Sequence, residues 1–184
     1  MCFRGLTTAF TVAVLAGEDV KLRARALKLE SYRPKPHIFP DGFILVIDTR
    51  EQKPLCTRIK GLNSLVETVR DGDYTIKGFE DKFAIERKQT SDFYGYIGKE
   101  RVKTVKKLKR LAQFDFAALV IEASMDDLLS PNLYSSISPE VARGFLTSVN
   151  VRYGIHVYLD RSRKQIERWM LDRMIKYYKL VREV

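Results

Sequence analysis

Gly72-Asp73-Tyr74-Thr75-Ile76, a turn through Gly78-Phe79-Glu80-Asp81, and then Phe83-Ala84-Ile85-Glu86-Arg87-Lys88 form the stretch from which the fold can be read. Two short β-type runs joined by glycine and polar residues predict a hairpin, and side chains two apart on a strand share a face. Glu86 and Lys88 therefore point one way and Arg87 the other. Three successive charges on a strand that buries Ile85 are costly unless they meet ionic partners, a metal or a substrate.

Around this hairpin the order of elements is legible. Phe43 to Asp48 predicts a buried strand, and Leu65 to Arg70, which alternates, a second one leading into the Asp71-Gly72 turn. Ser91-Asp92 is placed to cap a short helix through Tyr96, and a longer helix is expected from Lys99 to Gln113. Phe116 to Ile121 has strand length, Pro139 to Val151 reads as a helix, Ile155 to Leu159 as a strand, and Ser162 to Arg182 as a long last helix. This order predicts an α/β fold, a central mixed sheet flanked by helices. Pro34-Lys35-Pro36 and Pro40-Asp41-Gly42 break any preceding helix, so residues 1–42 are expected to be an N-terminal extension and linker, poorly ordered or partly helical, before a domain at 43–184. Within the extension, Leu6 to Ala16 is apolar but too short to span a bilayer, and Lys21 to Lys28 can form a basic helix.

Composition sets limits. The chain has 184 residues, 45% of them hydrophobic, which is enough for one domain with a core. Its formal charge of +10 suits a polyanionic partner. Cys2 and Cys56 lack metal-type spacing and cannot form a disulfide framework, so a reducing, cytoplasmic setting is expected.

Gly72-Asp73, then Glu86-Arg87-Lys88, then Asp92 resembles the GD…ERKxxxD signature of the XPF-type structure-specific DNA endonucleases, and Leu45-Val46-Ile47-Asp48-Thr49-Arg50-Glu51 is similar to that family's first strand with its Asp-x-Arg-Glu end. The resemblance covers about residues 43–182. It implies the restriction-endonuclease-like fold, Mg²⁺- or Mn²⁺-dependent hydrolysis of DNA at branched or junction sites in repair, recombination or replication, and a homodimer or heterodimer. Asp48, Arg50, Asp73, Glu86, Arg87, Lys88 and Asp92 are the expected catalytic set. Asp73 and Glu86 are the natural metal pair, with Asp48 a further or outer ligand, because Mg²⁺ takes one or two carboxylates and keeps several waters. Lys88 can orient or deprotonate the attacking water, or stabilise charge on the phosphate. Arg50 and Arg87 suit bidentate contacts to phosphate or to the acids themselves, and Glu51 and Asp92 are expected to orient those arginines and cap a helix.

On a wheel of Lys99 to Gln113, Val102, Val105, Leu108, Leu111 and Ala112 form an apolar arc opposite Lys99, Lys103, Lys106, Lys107 and Arg110. Unpaired like charges at this spacing repel, so Lys103, Lys106, Lys107 and Arg110 are expected to face DNA. Arg101 falls within the apolar arc, and the family pattern has an arginine near here; it is read as a clamp aimed at the hairpin. His37 and His156 lie outside the motifs, and Trp169, Tyr177 and Tyr178 are expected to pack. The last helix has two apolar rows, Ile166, Met170, Met174, Tyr177 and Val181, and Leu171, Ile175 and Tyr178, which predicts a dimer seam. These 184 residues contain no stretch that reads as the helicase region or the helix-hairpin-helix pair of many family members, so a compact, stand-alone viral or prokaryotic type is expected. A non-catalytic DNA-binding partner subunit is the alternative, and a basic ribonucleoprotein scaffold a third reading.

Overall fold

The computed structural model describes residues 35–130 and 135–183; the expectations for Leu6 to Ala16 and Lys21 to Lys28 lie outside them. Six strands form one sheet: β1 (Leu45–Asp48), β2 (Ser64–Glu67), β3 (Tyr74–Ile76), β4 (Phe83–Gln89), β5 (Phe116–Glu122) and β6 (His156–Leu159), in the order β2-β1-β3-β4-β5-β6. The predicted hairpin is antiparallel, β3 also pairs antiparallel with β1, and the β1–β2, β4–β5 and β5–β6 pairs are parallel. The mixed sheet of the sequence reading is therefore present. Helices α1 (Thr90–Ile97), α2 (Arg101–Leu111), α3 (Met125–Leu129), α4 (Pro139–Tyr153) and α5 (Arg163–Arg182) complete the described elements.

Two cores form because the central strands are apolar on both faces. Leu45 and Ile47 of β1, Tyr74 and Ile76 of β3, Phe83 and Ile85 of β4, and Ala118 and Val120 of β5 pack with Ile166, Met170, Leu171 and Met174 of α5. Ala84, Ala117, Leu119 and Ile121 form the other core with Phe93 and Ile97 of α1, Leu108 and Leu111 of α2, and Leu146 and Val149 of α4. Strand alternation thus assigns each functional side chain to a face before any contact is considered. Glu86 and Lys88 fall on the α1–α2 side, and Arg87 on the α5 side.

Several boundaries differ from the sequence reading. The compact unit begins at His37 rather than residue 43: His37 Nε2 bonds Asp172 at 2.8 Å, and Phe39 stacks on Phe43 at 5.8 Å, so apolar residues of the supposed linker join the core. β2 is shorter than Leu65 to Arg70 and lies at an edge, where Val66 is 68% exposed; its alternation does not mark a buried face. α1 starts at Thr90 with Gln89 in the capping position and no side-chain cap, because β4 runs directly into it. Asp92 is therefore a first-turn acid and not a cap. α2 starts at Arg101, since Gly98 ends α1 and Glu100 occupies the turn between them. α3, closed by a Ser124–Asp127 capping box, was not anticipated. Ile166, Met170, Leu171, Met174, Ile175 and Tyr178 of α5 are buried within the chain itself, and Tyr177 and Val181 of the same rows are half-buried, so most of both rows is covered by intrachain packing.

Gly72 has φ +89°, and a Cβ there would sit 3.0 Å from Ala84 Cβ and 3.3 Å from the Ile85 carbonyl. Gly72→Ala is expected to destabilise the protein by about 2–4 kcal/mol through left-handed backbone strain and the clash with β4. Urea unfolding measures this, and a change below about 0.5 kcal/mol would contradict a rigid turn.

Candidate functional site

Asp73 and Glu86 meet where β3 begins and β4 leaves the core. The Asp73 amide donates to the Ile85 carbonyl at 2.8 Å, and its Oδ2 accepts from the Arg87 amide at 2.7 Å. The hairpin register alone therefore brings the Asp73 carboxyl beside residue 86. Glu86 is 1% exposed, and two ammonium groups compensate it: Lys88 Nζ at 2.6 Å from Oε1, and Lys107 Nζ at 2.9 and 2.8 Å from Oε1 and Oε2. Burial, reinforced by the Glu86 charge, pushes the Asp73 carboxyl up to about 7. Burial also opposes ionisation of Glu86, but Lys88 and Lys107 outweigh it and hold that carboxyl below its usual range. Among the described residues no group of three or more His, Cys, Asp or Glu side chains forms a metal cage. The Asp73–Glu86 pair instead has the donor set of a Mg²⁺ site completed by waters and a phosphate, and its mutual repulsion is what a dication relieves.

On the other face of β4, Arg87 is enclosed by acids. Its Nε and Nη2 reach Glu51 at 2.7 and 2.6 Å, and Nη1 reaches Glu122 at 2.7 Å. Arg163, at the start of α5, bonds the same Glu122 oxygen at 2.6 Å. With 7% of its side chain exposed, Arg87 takes the second of its two expected roles, binding acids and not phosphate. Glu51 orients it, as expected.

Asp48 is 1% exposed and accepts from the Arg50 amide at 2.8 Å, Arg50 Nε at 2.7 Å, Arg50 Nη2 at 2.9 Å and the Val69 amide at 2.8 Å. Burial acts against the charge, yet these Arg50 and Val69 hydrogen bonds lower its pKa to about 2. The carboxylate is thus fully engaged in fixing the exit of β1 and the chain after β2, and Arg50 contacts this acid.

α2 is rotated relative to its sequence wheel. Its buried stripe is Thr104, Leu108 and Leu111, while Val102 is 72% exposed. Thr104 sets this rotation by donating to the Tyr96 carbonyl at 2.6 Å, a polar anchor that an apolar wheel ignores. Lys107 and Arg110 consequently turn toward the sheet: Lys107 to Glu86, and Arg110 to the fully buried Asp71 through Nε at 2.9 Å and Nη2 at 2.7 Å. Lys103 and Lys106 stay exposed. Arg101 corrects the clamp reading: it is exposed in the first turn, and Lys107 is the cation that α2 delivers to the hairpin.

Sequence reasoning missed Lys107 as a partner of Glu86, and it missed Asp71, Glu122 and Arg163. Glu122 carried a signal, since it ends an apolar strand as Asp48 does. Asp71 was read only as a turn residue beside Gly72.

A search of curated proteins returns no match. Among solved structures the fold is similar to XPF from Aeropyrum pernix, with a TM-score of 0.58 and 19% identity over 73% of this chain and 61% of that one. It is also similar to XPF from Aeropyrum pernix in complex with DNA, with a TM-score of 0.59 and 18% identity over 74% of this chain and 65% of that one. This chain therefore spans less than two thirds of those solved chains, and at such identity the likeness establishes a shared fold alone. The family model for the ERCC4 domain matches residues 47–172, a span that contains Asp48, Asp73, Glu86, Arg87, Lys88 and Lys107. With the paired carboxylates, their lysines and most of the chain inside that match, the chain belongs to the ERCC4 domain family.

Proposed function

We propose that this protein is a metal-dependent DNA endonuclease acting at branched or single-strand/duplex junction DNA. The observation that carries the reading is the Asp73–Glu86 pair, with Lys88 and Lys107 on Glu86, beside a helix that exposes Lys103, Lys106 and Lys109. Asp73 and Glu86 would hold Mg²⁺ or Mn²⁺, which when bound polarises a phosphate oxygen and lowers the pKa of a coordinated water. Lys88 shares the Glu86 face of β4 and stabilises charge that develops on the phosphate. Lys107 takes a phosphate oxygen once Glu86 has another cation. Arg87 and Asp48 hold the strands that carry these groups and do not touch substrate. DNA as the substrate is supported by membership of the ERCC4 domain family and by the +10 charge. Repair or recombination is the setting that fits such a substrate.

Cleavage of labelled flap, fork and duplex DNA is expected to require Mg²⁺ or Mn²⁺. Asp73→Asn and Glu86→Gln should each lower the rate by about 10³-fold or more with the fold retained in circular dichroism. Full activity in EDTA, or in both variants, refutes the metal assignment.

The metal-free protein has a linked pH dependence. The folded pKa of Asp73, about 7, lies above its ordinary 3.8, so its stabilising protonation is complete below the lower value and is lost as pH rises through the higher one. In EDTA at pH 8, Asp73→Asn is expected to exceed the parent in stability by about 1 kcal/mol or more, with the gap closing near pH 4. Mg²⁺ at pH 8 should raise the melting temperature of the parent but not of the variant. A gap that is the same at both pH values would show that Asp73 ionises freely.

For the DNA-facing helix, replacing Lys103, Lys106 and Lys109 together with Gln should weaken binding similarly for every sequence. The slope of log affinity against log salt should flatten by about 0.7–0.9 for each phosphate that the helix no longer neutralises. Parental affinity at every salt concentration would place the DNA on another surface.

A further inference from the structure

Tyr96 of α1 is 4% exposed, and its hydroxyl is the one buried side-chain polar atom among the described residues that has no hydrogen-bond partner. A hydroxyl removed from water without a partner is destabilising, and such groups in native folds call for a specific explanation. The rest of the residue is well anchored. Its carbonyl accepts from Thr104 at 2.6 Å, and its ring packs edge-on against Phe145 at 6.1 Å. Lys88 Nζ lies 5.0 Å from the ring centroid while bonding Glu86 at 2.6 Å, so one ammonium group links the ring to Glu86. Both Glu86 oxygens are already held, by Lys88 and Lys107. Burial, followed by the Glu86 and Asp73 charges, drives the phenol far above its ordinary value. It therefore remains a donor across the working pH range.

We propose that Tyr96 is a catalytic residue whose hydroxyl donates a hydrogen bond to a nonbridging oxygen of the phosphate that binds at Asp73 and Glu86. This assignment rests on the cleavage reading above. A donor held in place by packing and shielded from water is the kind that stabilises charge as it develops on the reacting oxygen. The phenol complements Lys88, which supplies charge at the same place, and the cation lying over the ring keeps the two side chains in a fixed relation. No proton is transferred.

Three measurements on the full chain test this. First, metal-free Tyr96→Phe is expected to melt no lower than the parent, because only an unpaired hydroxyl is removed; a large drop overturns the premise. Second, with Mg²⁺ and a cleavable fork, the single-turnover rate of Tyr96→Phe should fall about tenfold or more while the DNA dissociation constant changes less than twofold. A variant that cleaves at the parental rate overturns the assignment. Third, the [¹³Cζ]-tyrosine resonance missing from Tyr96→Phe should move when the parent binds fork DNA in the presence of Ca²⁺. If the parent cleaves nothing with any divalent ion, the cleavage reading falls and the resonance decides separately. A moved signal then retains the hydroxyl as a phosphate contact, and an unmoved one overturns it too.

Discussion

Arg87 clamped between Glu51 and Glu122 is the ionic contact on which the site depends, because it joins the exit of β1, the end of β4 and the end of β5 at one point. Arg163 extends the joint to α5 through the shared Glu122. Removing one partner of such a nearly buried set leaves an uncompensated charge, which is far more costly than breaking a surface pair. The Arg87 amide also holds Asp73 Oδ2 at 2.7 Å, so the backbone that the clamp fixes on one face of the sheet positions the carboxyl on the other. Structural and chemical roles are thereby divided by the alternation of a single strand.

The chemical face works by compensation. Glu86 is ionised inside the protein only because two lysines surround it, and Asp73 is pushed toward neutrality by its burial and then by the charge that Glu86 keeps. The carboxylate pair thus carries a desolvation and repulsion cost where β3 and β4 meet. This is a stability cost confined to the functional site, consistent with local rules yielding where chemistry is done.

How much of this was legible in the sequence depended on the range of the signal. The hairpin, the opposite directions of Glu86 and Arg87, and the strand–helix order follow from spacing along one chain segment. Glu51 as the orienter of Arg87 was also recoverable, because its motif implies a partner. Lys107 and Arg110 were misplaced because the rotation of α2 is set by Thr104 bonding across to α1, a contact that apolar periodicity does not encode. Arg101 was misread for the same reason. The apolar residues of α5 were read as a dimer seam because the sequence does not show how much of them the sheet's own face covers. Glu122 and Arg163, 41 residues apart, needed the folded structure to bring them together.

Among the described residues, β2 is a terminal strand of the sheet, with no further strand paired on its outer side. It is four residues long, leaves Leu65 and Val66 partly exposed, and ends at Glu67, which pairs with Lys77 at 2.6 Å. An unpaired strand edge with apolar side chains is a template for pairing with another chain, and shortness and charge are the usual safeguards. Here the broader safeguard is the +10 charge, which keeps molecules apart at low ionic strength. Screening shortens the reach of that repulsion to about 8 Å at physiological salt. Raised salt therefore weakens this colloidal protection and leaves the β2 margin more open to self-association.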